Sequence, residues 1–160
     1  MQTAKAHFLK KDLIPLLKSI PGDTGPRWGK MSVQQMVEHF TDAVRIAAGS
    51  MENAPILTPA ENIPRMQAFI ASDKPLRENT RNPMLPDEPA SVRRASKTEA
   101  LNDLQAALDA FFEAFYEKEN TTTRNPLFGD LNFDLNIQLL YKHAVHHLRQ
   151  FGVEVDPIDL

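Results

Sequence analysis

The sequence predicts an all-α fold, a four-helix bundle, and three observations lead to this class. Four segments carry apolar residues at the three- and four-residue spacing of one helix face. Proline and glycine breakers separate these segments from one another. No segment alternates apolar and polar residues in a way that convincingly predicts a strand.

The N-terminal part of the chain contains the first two predicted helices. The first covers Thr3–Ile20, and Pro15 is expected to kink or split it, because proline has no N–H to donate inside a helix. The second begins after Ser32, which with Gln35 forms the pattern of a capping box. We expect this helix to end near Gly49.

The middle of the chain is predicted to be mostly irregular. A short helix is favoured over Ile63–Ser72, with Pro64 in its first turn. Four prolines then disfavour regular structure over residues 73–92. We interpret this long proline-rich loop either as an extended strap over the bundle or as a mobile loop, and a loop of this length is often functional.

Two long helices are predicted after this loop. Thr98–Glu119 has a broad apolar face, and Asn132 is a candidate cap for the last helix, Phe133–Phe151. Gly152 follows it, where a left-handed cap favours glycine. Aromatic residues near the end of the third long helix are too spread for one narrow seam, so part of this surface is predicted to be a homodimer interface: Phe111, Phe112, Phe115 and Tyr116.

Composition and charge limit the classes of function. A chain of 160 residues suits a single domain, 1–160, with a core of its own. The net charge of −3 and the lack of a basic run argue against nucleic acid or a membrane surface as partner. The absence of cysteine excludes disulfides and thiolate metal sites. With no signal peptide and no long apolar stretch, a cytoplasmic protein is expected.

Three of the five histidines lie close together in the last predicted helix. His143 and His147 are four residues apart, so their rings stack on one helix face and can converge on one ion. A helical wheel places His147 within the apolar face and His146 at its edge. A shared metal would satisfy both inward rings, but a buried histidine is more often simply hydrogen-bonded, so this helix alone leaves both interpretations open.

His39 on the second helix strengthens the metal interpretation. It flanks the apolar stripe of that helix, and Ala43 one turn later leaves room beside the ring. A third inward histidine on another helix is what a three-histidine site requires. Such a site leaves a coordination position open for water or substrate, and we expect a divalent ion, zinc or nickel before others, although imidazole suits copper and iron as well.

Several segments of the chain resemble the DinB-like superfamily, and in particular a branch of small bacterial proteins without an assigned function. They are Trp28–His39, Ser72–Pro75, Pro126–Asn132, Tyr141–His143 and His146–Gly152. The resemblance implies a four-helix bundle, often a homodimer, with one metal ion held by His39, His143 and His147. It also implies a family in which characterised members use a low-molecular-weight thiol such as bacillithiol, mycothiol or glutathione, while others are described as metal-dependent hydrolases.

Other side chains are candidates for the surroundings of this site. By spacing, Gln150 is expected to orient His147 or a bound water, and Asp42 to accept the second N–H of His39. For both, an ordinary solvated polar residue is the alternative. Further candidates for the pocket wall are Trp28, Tyr141, His146 and Arg149.

The function expected from the sequence is therefore metal-dependent chemistry on a small-molecule substrate. The ion would activate a low-molecular-weight thiol or a water molecule, for transfer to the substrate or for its hydrolysis. The alternative is a metal- or ligand-binding helical module without catalysis, since no residue pattern in the chain is specific for one reaction.

Overall fold

The computed structural model describes residues 3–118 and 120–158, and within these it is mostly helical with one small two-stranded sheet, which confirms the predicted helical class. The α-helices are α1 (Thr3–His7), α2 (Leu13–Ser19), α3 (Val33–Ala47), α4 (Ile63–Ala71), α5 (Lys97–Phe115) and α6 (Phe133–Gln150). The two strands are β1 (Thr123–Asn125) and β2 (Gly129–Leu131).

The N-terminal helix is continuous but irregular. A π-helical turn, Phe8–Asp12, joins α1 to α2, so the chain is not split at Pro15. Pro15 cannot donate to the carbonyl of Lys11, four residues earlier, and Lys11 lies within the wide turn. The irregularity therefore lies one turn before the proline, where the wider turn accommodates the missing hydrogen bond.

Caps set the starts of the three long helices. Before α3 the predicted capping box is present: the Ser32 hydroxyl accepts from the Gln35 N–H at 3.1 Å, and the Gln35 side chain accepts from the Ser32 N–H at 2.9 Å. Asn132 caps α6, as predicted, by accepting from the N–H of Leu135 at 3.0 Å. The third long helix begins at Lys97, one residue earlier than predicted, because Ser96 caps it.

The core lies between the N-terminal helix, α3, α5 and α6. The predicted end of α5 at Glu119 lies outside the described residues; the helix itself ends at Phe115. Phe111 and Phe115 there are buried and pack on Phe133, whereas Tyr116 is 66% exposed. Two of the four aromatic side chains of the predicted interface are thus buried within the chain, and a homodimer at this surface stays a prediction.

The sequence predicts little or no strand, and the structure contains one short hairpin. β1 and β2 form an antiparallel hairpin in which Thr123 is opposite Leu131. Strands of three residues are too short to show alternation in the sequence. Contacts with distant parts of the chain stabilise the hairpin, since the Thr123 hydroxyl donates to the carbonyl of Ala47 at 2.8 Å and accepts from the Asn136 amide at 3.0 Å.

The proline-rich segment after α4 contains no helix or strand over residues 73–96, as predicted for most of it. Its first end is fixed to α6, because the Lys142 ammonium donates to the carbonyls of Ser72 and Lys74. Its second end is fixed to α3, where Glu38 accepts from the N–H of Arg93 at 2.6 Å. Anchors at both ends favour the interpretation as a strap, a name we keep for residues 72–96.

Candidate metal centre

Three histidine rings converge between α3 and α6. The Nε2 atom of His143 lies 3.1 Å from Nε2 of His39 and 2.8 Å from Nε2 of His147. One ligand nitrogen from each ring lies within 4.8 Å of the other two, so the three residues are close enough to share one ion. For nitrogens about 2.0–2.1 Å from an ion, octahedral neighbours would be about 2.9 Å apart and tetrahedral ones about 3.4 Å apart.

Protons alone satisfy this cluster poorly. A neutral imidazole carries one N–H and one lone pair, on different ring nitrogens. The Nε2 atom of His143 has close contacts to two other Nε2 atoms, and it can serve only one of them well as donor or as acceptor. The second contact is then at best a weak bifurcated hydrogen bond, whereas a cation bound by all three lone pairs serves each ring directly.

Burial keeps the three imidazoles in the neutral form that binds metals. His147 is 4% exposed, and burial lowers its pKa to about 3, with repulsion from the neighbouring histidines adding to the effect. Burial, and then His147 and His39, also hold the pKa of His143 well below its usual range. Burial lowers the pKa of His39 as well. Metal ions therefore compete with few protons at neutral pH.

Gln150 holds the ring of His147 from behind. It is buried, and its Oε1 atom lies 2.7 Å from Nδ1 of His147. Its Nε2 atom donates to the backbone carbonyl of Trp28 at 3.0 Å. The structure therefore places Gln150 beside the ring that its sequence spacing indicated, with its contact on the ring nitrogen that faces away from the cluster.

Trp28 and His146 lie at the rim of the cluster. Their ring centroids are 5.3 Å apart, and the His146 ring is 5.1 Å from that of His147. His146 is half-buried; burial lowers its pKa, while a hydrogen bond to the backbone of Leu76 and the charge of Glu78 act in the opposite direction. His146 thus contacts the strap rather than the other Nε2 atoms.

Asp42 and Tyr141 lie elsewhere than expected. Asp42 does not bond the His39 ring, because Arg93 from the strap donates to its carboxylate at 2.9 Å; only its charge acts on His39, raising the pKa against the larger effect of burial. Tyr141 is about 200° around α6 from His143. Its ring packs on Phe8 at 5.3 Å and its hydroxyl accepts from a backbone N–H near the C-terminus.

Sequence reasoning missed three residues next to the histidines. Phe40 places its ring 5.3 Å from that of His143. Glu38 and Lys142, 6% and 8% exposed, are the buried charges that anchor the strap to the two histidine-bearing helices. The sequence offered a clue to Glu38 and Lys142, since each directly precedes a candidate ligand. Their hydrogen-bond partners, however, lie in an irregular segment whose position no periodicity predicts.

Comparison of the chain with models of protein families, with curated proteins and with solved structures finds no match. The chemistry of the site is therefore inferred from its own geometry. None of the helices within residues 3–118 and 120–158 has both the length and the apolar character needed to cross a membrane.

Proposed function

We propose that this chain is a metal-binding protein of the DinB-like type, a four-helix bundle in which His39, His143 and His147 hold one divalent ion. The proposal rests on the approach of three Nε2 atoms, at 3.1 and 2.8 Å, in a pair of contacts that one proton or one lone pair on Nε2 of His143 serves poorly. The chain has no cysteine, and described carboxylates do not join the cluster, so imidazole supplies the ligands.

Exposure favours an ion that small molecules can reach. His147 is buried, but His39 and His143 are half-buried, so the cluster has a buried and a more open side. Structural zinc sites are usually closed by four protein ligands, whereas three leave a position for an exogenous one. A divalent ion held in this way acts as a Lewis acid and lowers the pKa of a water molecule or thiol that it binds.

The chemistry we propose is the use of a low-molecular-weight thiol or of water against a small electrophilic molecule. Trp28 and His146 at the rim offer an aromatic face and a ring nitrogen to such a molecule. The strap is fixed beside each histidine-bearing helix, because it is joined to α6 at Lys142 and to α3 at Glu38.

Metal analysis of the purified protein is the first test. After dialysis against zinc or nickel, we expect one equivalent bound, and most of it lost in His143→Ala or His147→Ala; His7→Ala is the control, because His7 is not part of the cluster. Electrophilic substrates are then screened with several thiols and with water. One bound ion with no turnover would favour the non-catalytic module, and wild-type levels of metal in both ligand variants would refute the site.

A further inference from the structure

Gln150 connects the histidine cluster to the loop that precedes α3. Its side-chain amide donates to the carbonyl of Trp28 at 3.0 Å and lies 2.7 Å from Nδ1 of His147. Its own backbone carbonyl accepts from the N–H of Arg27 at 2.7 Å. The same residue therefore fixes a ligand ring on α6 and the segment that leads, through the capping box, into the helix that carries His39.

The two hydrogen bonds of the amide determine its orientation. A backbone carbonyl can only accept, so the atom of Gln150 that faces Trp28 has to be the amide nitrogen. The amide oxygen then faces His147, and because it can only accept, the Nδ1 atom of His147 has to carry the proton. In the neutral ring this leaves the lone pair on Nε2, the nitrogen that points to His143.

Gly29 allows the loop to approach Gln150 this closely. Its φ of +75° lies in the left-handed region, and a Cβ built on it would be 3.1 Å from Nε2 of Gln150. That atom is the one that donates to Trp28. A Cβ built on Gly22 or on Gly25, two other glycines of the same loop, would have no neighbouring heavy atom within 4 Å. The lack of a side chain therefore matters for the amide at position 29 and not at the other two.

We infer that Gln150 is a positioning residue that sets the tautomer of His147, and that the Trp28 carbonyl and Gly29 hold its amide in the orientation required. The inference rests on the proposed metal site for its purpose, since only a lone pair on Nε2 can bind an ion there. Outer partners of metal-bound histidines fix ring orientation and tautomer in this way, and their loss costs about 10–100-fold in metal affinity.

The tautomer is measured first, in metal-free protein, from the ¹⁵N resonances of the histidine rings. In the wild type we expect His147 to have a protonated Nδ1 and a bare Nε2. Gln150→Leu removes the acceptor, and a substantial population with the proton on Nε2 should appear. Gln150→Glu keeps an acceptor and should retain the wild-type tautomer. An unchanged His147 tautomer in Gln150→Leu, or an Nε2 proton in the wild type, would overturn the inference.

Metal affinity is measured second, by competition between the protein and a chromophoric chelator for zinc. Gln150→Leu and Gly29→Ala should each lose about 10–100-fold. Gly49→Ala is the matched control: it also introduces a side chain at positive φ, +104°, but its nearest neighbour is the Thr123 methyl at 3.8 Å. Affinity should be unchanged there, and equal losses in both glycine variants would show general strain and contradict the inference.

The two measurements separate this inference from the proposed function. If the wild type binds no zinc, the proposed metal site fails, while the ¹⁵N data still decide whether Gln150 sets the tautomer. If the wild type binds zinc and Gln150→Leu binds it equally well, the site stands and the role of Gln150 is refuted. Folding of each variant is checked from its amide spectrum, and Gly29→Ala provides the test by affinity if Gln150→Leu does not fold.

Discussion

Two sets of three neighbouring aromatic rings, chosen from the described residues, differ in the partners that their atoms need. Phe111, Phe115 and Phe133 have ring centroids 5.3 to 5.9 Å apart, and the three imidazoles of His39, His143 and His147 are 4.6 to 5.1 Å apart. Burial and ring–ring contacts stabilise the phenyl cluster, whose rings have no polar atoms. The imidazole cluster has the same packing but also carries ring nitrogens, which need partners once they leave water.

Ring packing does not by itself distinguish a hydrophobic core from a binding site. The phenyl cluster needs nothing that the chain does not provide. In the imidazole cluster, Gln150 supplies a partner for one ring nitrogen of His147, and among the described residues the Nε2 atoms contact only one another. A cation is the partner that serves all three, so a ligand is expected at one cluster and not at the other.

The largest effect on folding is expected in the phenyl cluster. Phe111 is fully buried, so Phe111→Ala removes a large apolar side chain and leaves a cavity, which costs about 3–5 kcal/mol of unfolding free energy. Chemical denaturation measures the loss. Zinc bound per folded molecule should not change, and a loss of zinc from the folded fraction would show that the two clusters are not independent.

The pH dependence of stability should come from the imidazole cluster. The pKa of His147 is about 3 in the folded protein and about 6.5 in an unfolded chain. As the pH falls, His147 therefore binds a proton in the unfolded state before it does so in the folded state. Its contribution to the stability of the metal-free protein is complete above pH 6.5 and is lost progressively as the pH drops from 6.5 towards 3. One histidine contributes a slope of about 1.4 kcal/mol per pH unit.

Denaturation of metal-free protein between pH 7.5 and about pH 4 measures this slope. In His147→Leu the slope should become shallower, since one depressed group is removed, while Phe111→Ala should lower stability by the same amount at every pH. An unchanged slope in His147→Leu would mean that other groups are responsible for the acid sensitivity.

A smaller effect is expected at the end of the strap. Arg93→Ala removes guanidinium contacts to Glu38 and Asp42, but the backbone N–H of residue 93 still reaches Glu38. Because these contacts are partly exposed, we expect a loss of about 0.5–1 kcal/mol and faster proteolysis of residues 72–96. Arg81→Ala is the control, since its pair with Asp87 is fully at the surface. Equal proteolysis of both variants would argue against the strap being anchored at Arg93.

The sequence predicted the features that depend on local spacing. The caps at Ser32 and Asn132 and the i, i+4 pair of histidines follow from the geometry of a single helix. The hairpin at Thr123 was missed because its partners are distant in the chain. Asp42 was assigned to His39 by spacing, and this assignment failed because the competing Arg93 comes from a segment without periodicity. The approach of His39 to the pair on α6 was expected from the apolar faces of the two helices and from the resemblance to the DinB-like superfamily, but its distances needed the fold.

The extended X-ray absorption fine structure of the bound metal tests the three-histidine site most directly. In protein loaded with one equivalent of zinc or nickel, we expect three imidazole nitrogens at about 2.0–2.1 Å together with at least one non-protein ligand. In His39→Ala the imidazole number should fall to two, with weaker binding. A shell of oxygen atoms with one imidazole or none, unchanged in His39→Ala, would contradict a metal centre at His39, His143 and His147.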